Sequence, residues 1–180
     1  MAARLLLPLL IILLVGSHGA FASVEETCAK AMEGSERKNL KSFCVTTLQA
    51  APGSASADAK GLAVIATNLT LANYTAAVAT IKELQRRGGW SDKQQAALGT
   101  CRRRYIEALN VVHSAVHSLA TGRKQAYVAE MGAVRRSATD CADAFGGGAP
   151  AAKGEEAPLR KLNDNAENLT TMVMLIVITL

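Results

Sequence analysis

Aromatic side chains are scarce in this chain: one Trp, three Tyr and three Phe among 180 residues. Rings so few and so scattered cannot build the stacking platform of a sugar-binding site. Tyr105, Tyr127 and Phe145 therefore read as core. Histidine is scarcer still, and only His113 and His117 lie beyond the first 22 residues. Their i, i+4 spacing on a helix could hold a metal, but no Glu follows His113 as a zinc-protease motif requires. Two polar side chains on a solvent face is the simpler reading, with a role in tuning partner binding near mildly acidic pH as the sharper one. No G-x-S-x-G turn and no Gly-rich phosphate loop after a strand is present. The acidic pairs Glu25-Glu26, Asp140 with Asp143 and Glu155-Glu156 fall at caps, helix ends or linkers, where solvated charge is expected rather than glycosidase chemistry. These absences argue against an enzyme and leave no metal or cofactor to expect.

Proline is equally sparse. Beyond residue 22 the chain has Pro52, Pro150 and Pro158, each where helical periodicity stops. A proline inside a helix costs ~3 kcal/mol, so these positions punctuate. No segment alternates as a half-buried strand does.

What is present begins with an export signal: Arg4 as the charged region, Leu5 to Val15 as the apolar run, and Ala20-Phe21-Ala22 as a small-x-small cleavage site. The apolar run is shorter than the roughly 20 residues of a membrane span. Residues 1–22 are thus expected to be removed, leaving one domain, 23–180. Loss of Arg4 lowers the formal charge from +5 to +4, a mild excess that favours acidic partners only weakly. Arg102-Arg103-Arg104 reads as a solvated helix face rather than a nucleic-acid site. Cys28, Cys44, Cys101 and Cys141 all lie beyond the cleavage site, an even number entering an oxidising compartment, which predicts two disulfides. With both formed, no thiol is left as a nucleophile. Asn68, Asn73 and Asn168 begin glycosylation sequons, compatible with the same route.

The periodicity predicts an all-α fold: an N-terminal helical hairpin (23–50) followed by an up-and-down antiparallel four-helix bundle (54–180). The hairpin arms are Glu25 to Met32 and Leu40 to Gln49. The first bundle helix spans Ser56 to Arg87, with Leu62, Ile65, Leu69, Ala72 and Ala76 inward, and stops at Gly88-Gly89. The second starts at the capping box Ser91-Asp92-Lys93-Gln94 and runs to Leu119. After the turn Thr121-Gly122-Arg123, the third carries Tyr127, Met131, Val134, Ala138, Cys141 and Phe145 on one stripe, and Gly146-Gly147-Gly148 ends it. Ala149 to Glu156 reads as a connector. The fourth begins near Pro158, with Leu159, Leu162, Ala166, Leu169, Val173, Ile176 and Leu180 inward. Its apolar end, Met172 to Leu180, falls just short of a lipid-anchor tail and reads as buried in the bundle.

Helix register selects one of the three possible disulfide pairings. Cys101 precedes Gly122 by 21 residues and Cys141 follows it by 19. At about 1.5 Å per residue the two lie within roughly 3 Å of the same height on antiparallel neighbours. Cys28 and Cys44 are almost symmetric about Glu36. The expected bonds are Cys28–Cys44 and Cys101–Cys141.

Several pieces in this order resemble the plant invertase and pectin methylesterase inhibitor family. They are Thr27-Cys28, Phe43-Cys44-Val45 with Leu48, Ala59 to Leu69 with Gly61-Leu62, then Cys101, Tyr105, Ala108 and Leu109, and finally Ala133, Ala138, Cys141 and Phe145. The resemblance covers essentially all of residues 23–180 and implies the same bundle, hairpin and disulfides. The fifteen residues between Cys28 and Cys44 make it most similar to a subgroup named for invertase inhibition that includes pollen allergens. Invertase inhibitors of the family, however, insert a Pro-Lys-Phe motif at the start of the third bundle helix, where this chain has Lys124-Gln125-Ala126-Tyr127.

The resemblance thus implies a secreted, cell-wall (apoplastic) monomer that blocks the cleft of pectin methylesterase. Acid invertase is the alternative target, and a non-inhibitory secreted binding or structural bundle the alternative class. Neither nucleic acid nor, after signal cleavage, membrane is an expected partner. The expected contact surface is the polar side of the second and third bundle helices: Arg103, Glu107, Asn110, Ser114, Lys124, Gln125, Tyr127, Arg136 and Asp140.

Overall fold

A computed structural model of the chain describes residues 22–37, 39–146 and 159–180. Among these, no strand occurs. The elements are α1 (Val24–Ala31), α2 (Leu40–Gln49), a short 3-10 turn (Ser54–Ser56), α3 (Ala59–Arg87), α4 (Asp92–Ala120), α5 (Lys124–Ala144) and α6 (Arg160–Thr179). Each of the helices α3 to α6 packs on its chain neighbours, and α6 closes the ring against α3. The result is an all-α, up-and-down four-helix bundle. The α1–α2 hairpin lies against α6 and the edge of α3.

Local chemistry sets the helix ends. Ser23 with Glu26 and Ser91 with Gln94 form reciprocal capping boxes, and Asp58 accepts from the Gly61 amide at 2.7 Å, so α1, α3 and α4 each start with an oxygen for their free N–H groups. At the end of α3 the Trp90 indole donates to the Leu84 carbonyl at 2.7 Å. The α4–α5 turn is a Schellman arrangement. Arg123 N–H donates to Ser118 O (2.8 Å), Gly122 N–H donates to Leu119 O (3.2 Å), and Gly122 takes φ 71°. A Cβ at Gly122 would meet nothing within 4 Å, so the cost of adding one comes from backbone conformation alone. Gly122→Ala is expected to lower stability by about 1 kcal/mol in a urea titration, with the slope unchanged.

Tyr127, Met131, Val134, Ala138 and Cys141 of α5 are buried as the stripe predicts, with Phe145 packed half-buried at its end. At α6, Leu159, Ala166, Leu169, Val173 and Ile176 are buried and Leu162 is half-buried, but Leu180, just beyond the helix, is 38 % exposed and does not join the inward stripe. Met172, Val173, Ile176 and Val177 place one face of the apolar C-terminal run in the core.

The largest correction falls on α3. Of its expected stripe only Leu62 is fully buried; Ile65 and Leu69 are half-buried and Ala72 and Ala76 exposed. The inner face is instead Leu62, Ala66, Thr67, Thr70, Tyr74, Ala77 and Ile81. Threonines can line it because their hydroxyls are satisfied inside. Thr70 donates to Ala66 O (2.9 Å), and Thr67 donates to Ala63 O (2.7 Å) while accepting from the Tyr127 hydroxyl (2.7 Å). Tyr74 OH donates to Val134 O at 2.8 Å, and Tyr105 OH donates to Asn163 Oδ1 at 2.7 Å. Although α3 is long and apolar enough to cross a membrane, this face makes it a core helix of the bundle.

Cys28–Cys44 closes the hairpin with Cα atoms 5.8 Å apart, and Cys101–Cys141 joins α4 to α5 at 4.5 Å. Both pairings are those the register demanded. Except for Ala22, the export segment lies outside the described residues, as do Gly147-Gly148, the connector 149–156, Pro150 and Pro158.

Candidate partner-binding surface

On α4 the spacing 103, 107, 110, 114 keeps one helical face, and Arg103, Glu107, Asn110 and Ser114 are all exposed on it. The neighbouring α5 adds exposed Lys124, Gln125 and Arg136 and half-buried Asp140. The two helices form one wall because side chains cross the seam between them. Ser114 Oγ donates to Glu130 Oε1 at 2.6 Å. Arg104 pairs with Glu107 on its own helix (3.2 Å) and, through Nε, with Asp140 of α5 (3.1 Å). These ion pairs are near half-exposed, so each contributes at most ~1 kcal/mol to stability. Their effect is to fix where the charges stand.

Tyr127 does not belong to this surface. It is fully buried, with its hydroxyl on Thr67, and burial pushes its ionisation above the ordinary tyrosine range. The α5 stripe that buries Val134 and Cys141 carries Tyr127 inward with them. Arg104 and Glu130 were missed as the residues that knit the wall. Arg104 stands one turn beyond Cys101 and Asp140 adjoins Cys141, so the disulfide register already held the signal.

Elsewhere among the described residues, few reactive side chains are brought together. His113 and His117 are exposed on α4, and among the described residues no group of three or more His, Cys, Asp or Glu side chains is placed to hold a metal ion. A cavity of about 480 Å³ at the bundle end is lined by Asp58, Lys60, Leu119, Lys124 and Leu180 among others. Of the described residues that line it, the ionisable side chains are Asp58, Lys60 and Lys124, and they assemble no nucleophile with a neighbouring base. The geometry is that of a stiff, charged outer wall, suited to recognition of another macromolecule.

The sequon asparagines are dispersed: Asn68 exposed and Asn73 half-buried on α3, Asn168 half-buried on α6 beneath the hairpin.

Comparison with known proteins agrees with this description. Among solved structures, a mutant form of a pectin methylesterase inhibitor from Arabidopsis superposes with a TM-score of 0.70 at 21% identity, covering 88% of this chain and 97% of that one. A second, a pectin methylesterase inhibitor from Arabidopsis thaliana, gives a TM-score of 0.61 at 20% identity over 78% and 88% of the two chains. At such identities these likenesses show the fold. No curated protein sequence matches the chain. The family model described as plant invertase/pectin methylesterase inhibitor matches residues 22–176, and with nearly the whole chain beyond residue 22 inside that match, the protein belongs to this family.

Proposed function

We propose that the protein is a secreted inhibitor of a pectin methylesterase, lying across the esterase's active-site cleft and excluding pectin by bulk. The observation that carries this reading is the α4–α5 wall: two antiparallel helices locked by Cys101–Cys141, with charges held in register by Arg104, Asp140, Ser114 and Glu130. A rigid wall loses little freedom on binding, which favours affinity. Membership of the family supports an inhibitory partner of pectin methylesterase or invertase. Between these, the start of α5 favours the esterase. Lys124 and Gln125 are exposed, but Tyr127, the aromatic residue nearest to a Pro-Lys-Phe position, is turned into the core. Among the described residues, no aromatic side chain stands exposed at that end to enter a sugar-binding cleft.

In this reading the protein acts as a monomer in the cell wall after losing residues 1–22, and Arg103, Glu107, Asn110, Ser114, Lys124, Gln125, Arg136 and Asp140 face the enzyme. Charge reversal at two exposed positions tests the surface. Arg103→Glu/Arg136→Glu is expected to weaken inhibition of a sensitive pectin methylesterase at least tenfold while circular dichroism and the melting transition stay unchanged. Undiminished inhibition by a folded double variant would move the interface elsewhere.

A further inference from the structure

Between α2 and α6 runs an open groove of about 680 Å³, lined by Arg37, Asn39, Ser42, Phe43, Thr46 and Asn168 among others. Asn168 begins the sequon Asn168-Leu169-Thr170. We propose that Asn168 carries an N-linked glycan whose first sugars lie in this groove and bridge the hairpin to the bundle.

Three observations converge. First, the amide is oriented. Arg37 Nη1 donates to the Asn168 amide at 3.2 Å, and a guanidinium has only donors, so the atom it meets is the oxygen. The amide nitrogen, the atom that would bear the sugar, is at the other end and has no hydrogen-bond partner among the described residues. Arg37 is itself held by Glu167 at 2.6 Å. Second, the lining suits a pyranose, which has an apolar C–H face and a rim of hydroxyls. Phe43 supplies a half-buried ring, while the Thr46 hydroxyl and the Asn39 amide make no hydrogen bond to any of the described residues. Third, the other sequons have no such setting. Asn68 is simply exposed on α3, and the Asn73 amide oxygen is enclosed without a donor.

The chemistry is a group transfer from a lipid-linked oligosaccharide pyrophosphate, the donor of the secretory route. The bond from the sugar C1 to phosphate oxygen breaks, a bond from C1 to Asn168 Nδ2 forms, and one amide proton leaves with the pyrophosphate. Nothing is oxidised or reduced. Transfer must precede folding, since in the bundle the Thr170 hydroxyl is buried and donates to Ala166 O at 2.8 Å. Afterwards Asn168 Oδ1 can still accept from Arg37, so clamp and glycan coexist.

The inference rests on the reading that the chain enters the secretory route, and the test separates the two. Expression in yeast behind a generic secretory leader delivers the chain to that route whatever residues 1–22 do; a parallel expression with residues 1–22 in place tests export itself. Peptide mass mapping of disulfide-complete protein from the medium is expected to find the N-acetylhexosamine core on Asn168 and to lose it in Asn168→Gln. Glycosidase release from native protein is expected to be at least tenfold slower at Asn168 than after denaturation, and Arg37→Ala, which frees the clamp, is expected to remove most of that protection. An unmodified Asn168 in the leader-driven protein overturns the site. A glycan released equally fast from native, denatured and Arg37→Ala protein overturns its placement in the groove.

Discussion

Replacing Cys101 and Cys141 together by alanine is expected to lower the unfolding free energy by about 4 kcal/mol, the loop-closure entropy of a 40-residue loop released in the unfolded chain. The Cys28→Ala/Cys44→Ala pair, closing 16 residues, is expected to cost about 3 kcal/mol. The two losses differ in kind as well as size. Cys28–Cys44 joins the arms of a hairpin that leans on α6, whereas Cys101–Cys141 joins the two helices that carry the proposed contact surface. Removing the latter therefore loosens both fold and recognition. Urea unfolding of the two double variants, followed by inhibition assays on whichever remains folded, measures each effect. A Cys101/Cys141 variant as stable as the parent would show that packing alone sets the α4–α5 register.

Alkaline pH is expected to unfold the protein steeply from about pH 10 upward. All three tyrosines, Tyr74, Tyr105 and Tyr127, are fully buried. Burial is the first cause raising each ionisation, for Tyr74 up to about 12 and for Tyr105 and Tyr127 further. In the unfolded chain each titrates near its ordinary value of about 10. Above that pH the unfolded state releases protons that the native state retains, so stability present below pH 10 is lost as pH rises towards the folded values. One tyrosine contributes about 1.4 kcal/mol of loss by pH 11, and the three together about 4 kcal/mol. Tyrosinate absorbance should stay silent until the helical signal collapses, then appear in one step. A gradual tyrosinate titration near pH 10 with helicity intact would contradict this burial.

The same tyrosines explain which parts of the fold could be read in advance. Helix limits were legible because their determinants are local: Ser91 with Gln94 at the start of α4, Gly88 and Gly122 at turns. The disulfide pairing was legible because residue spacing about Gly122 converts directly into height along antiparallel helices. The inner face of α3 was not. Ranking side chains by apolarity selected Ala72 and Ala76 over Thr67, Thr70 and Tyr74, although the latter are buried with satisfied hydroxyls. Those hydrogen bonds run to the same helix and to α5, and only the folded bundle brings α5 within reach. Likewise Asn163 reads as a polar surface residue until Tyr105 meets it across the core.

The proposed surface was legible in outline. Periodicity placed Arg103, Glu107, Asn110 and Ser114 together on α4, and they are together. The same periodicity puts Tyr127 on the inward stripe with Met131 and Val134, and there it lies; only its nearness in sequence to Lys124 and Gln125 sets it on the contact surface as well. Periodicity did not show that Arg104 and Glu130 link the two helices, which depends on their lateral contact and not on the sequence of either helix alone.

The central claim is that this wall arrests an esterase by direct contact. It is tested by titrating purified, disulfide-complete protein, residues 23–180, into a fixed amount of plant pectin methylesterase acting on methylated pectin, with acid invertase on sucrose in parallel. The account predicts that demethylesterification falls to near zero at one equivalent of inhibitor, with a one-to-one complex on gel filtration and invertase unaffected. Full esterase activity at tenfold excess, with no complex formed, would contradict it.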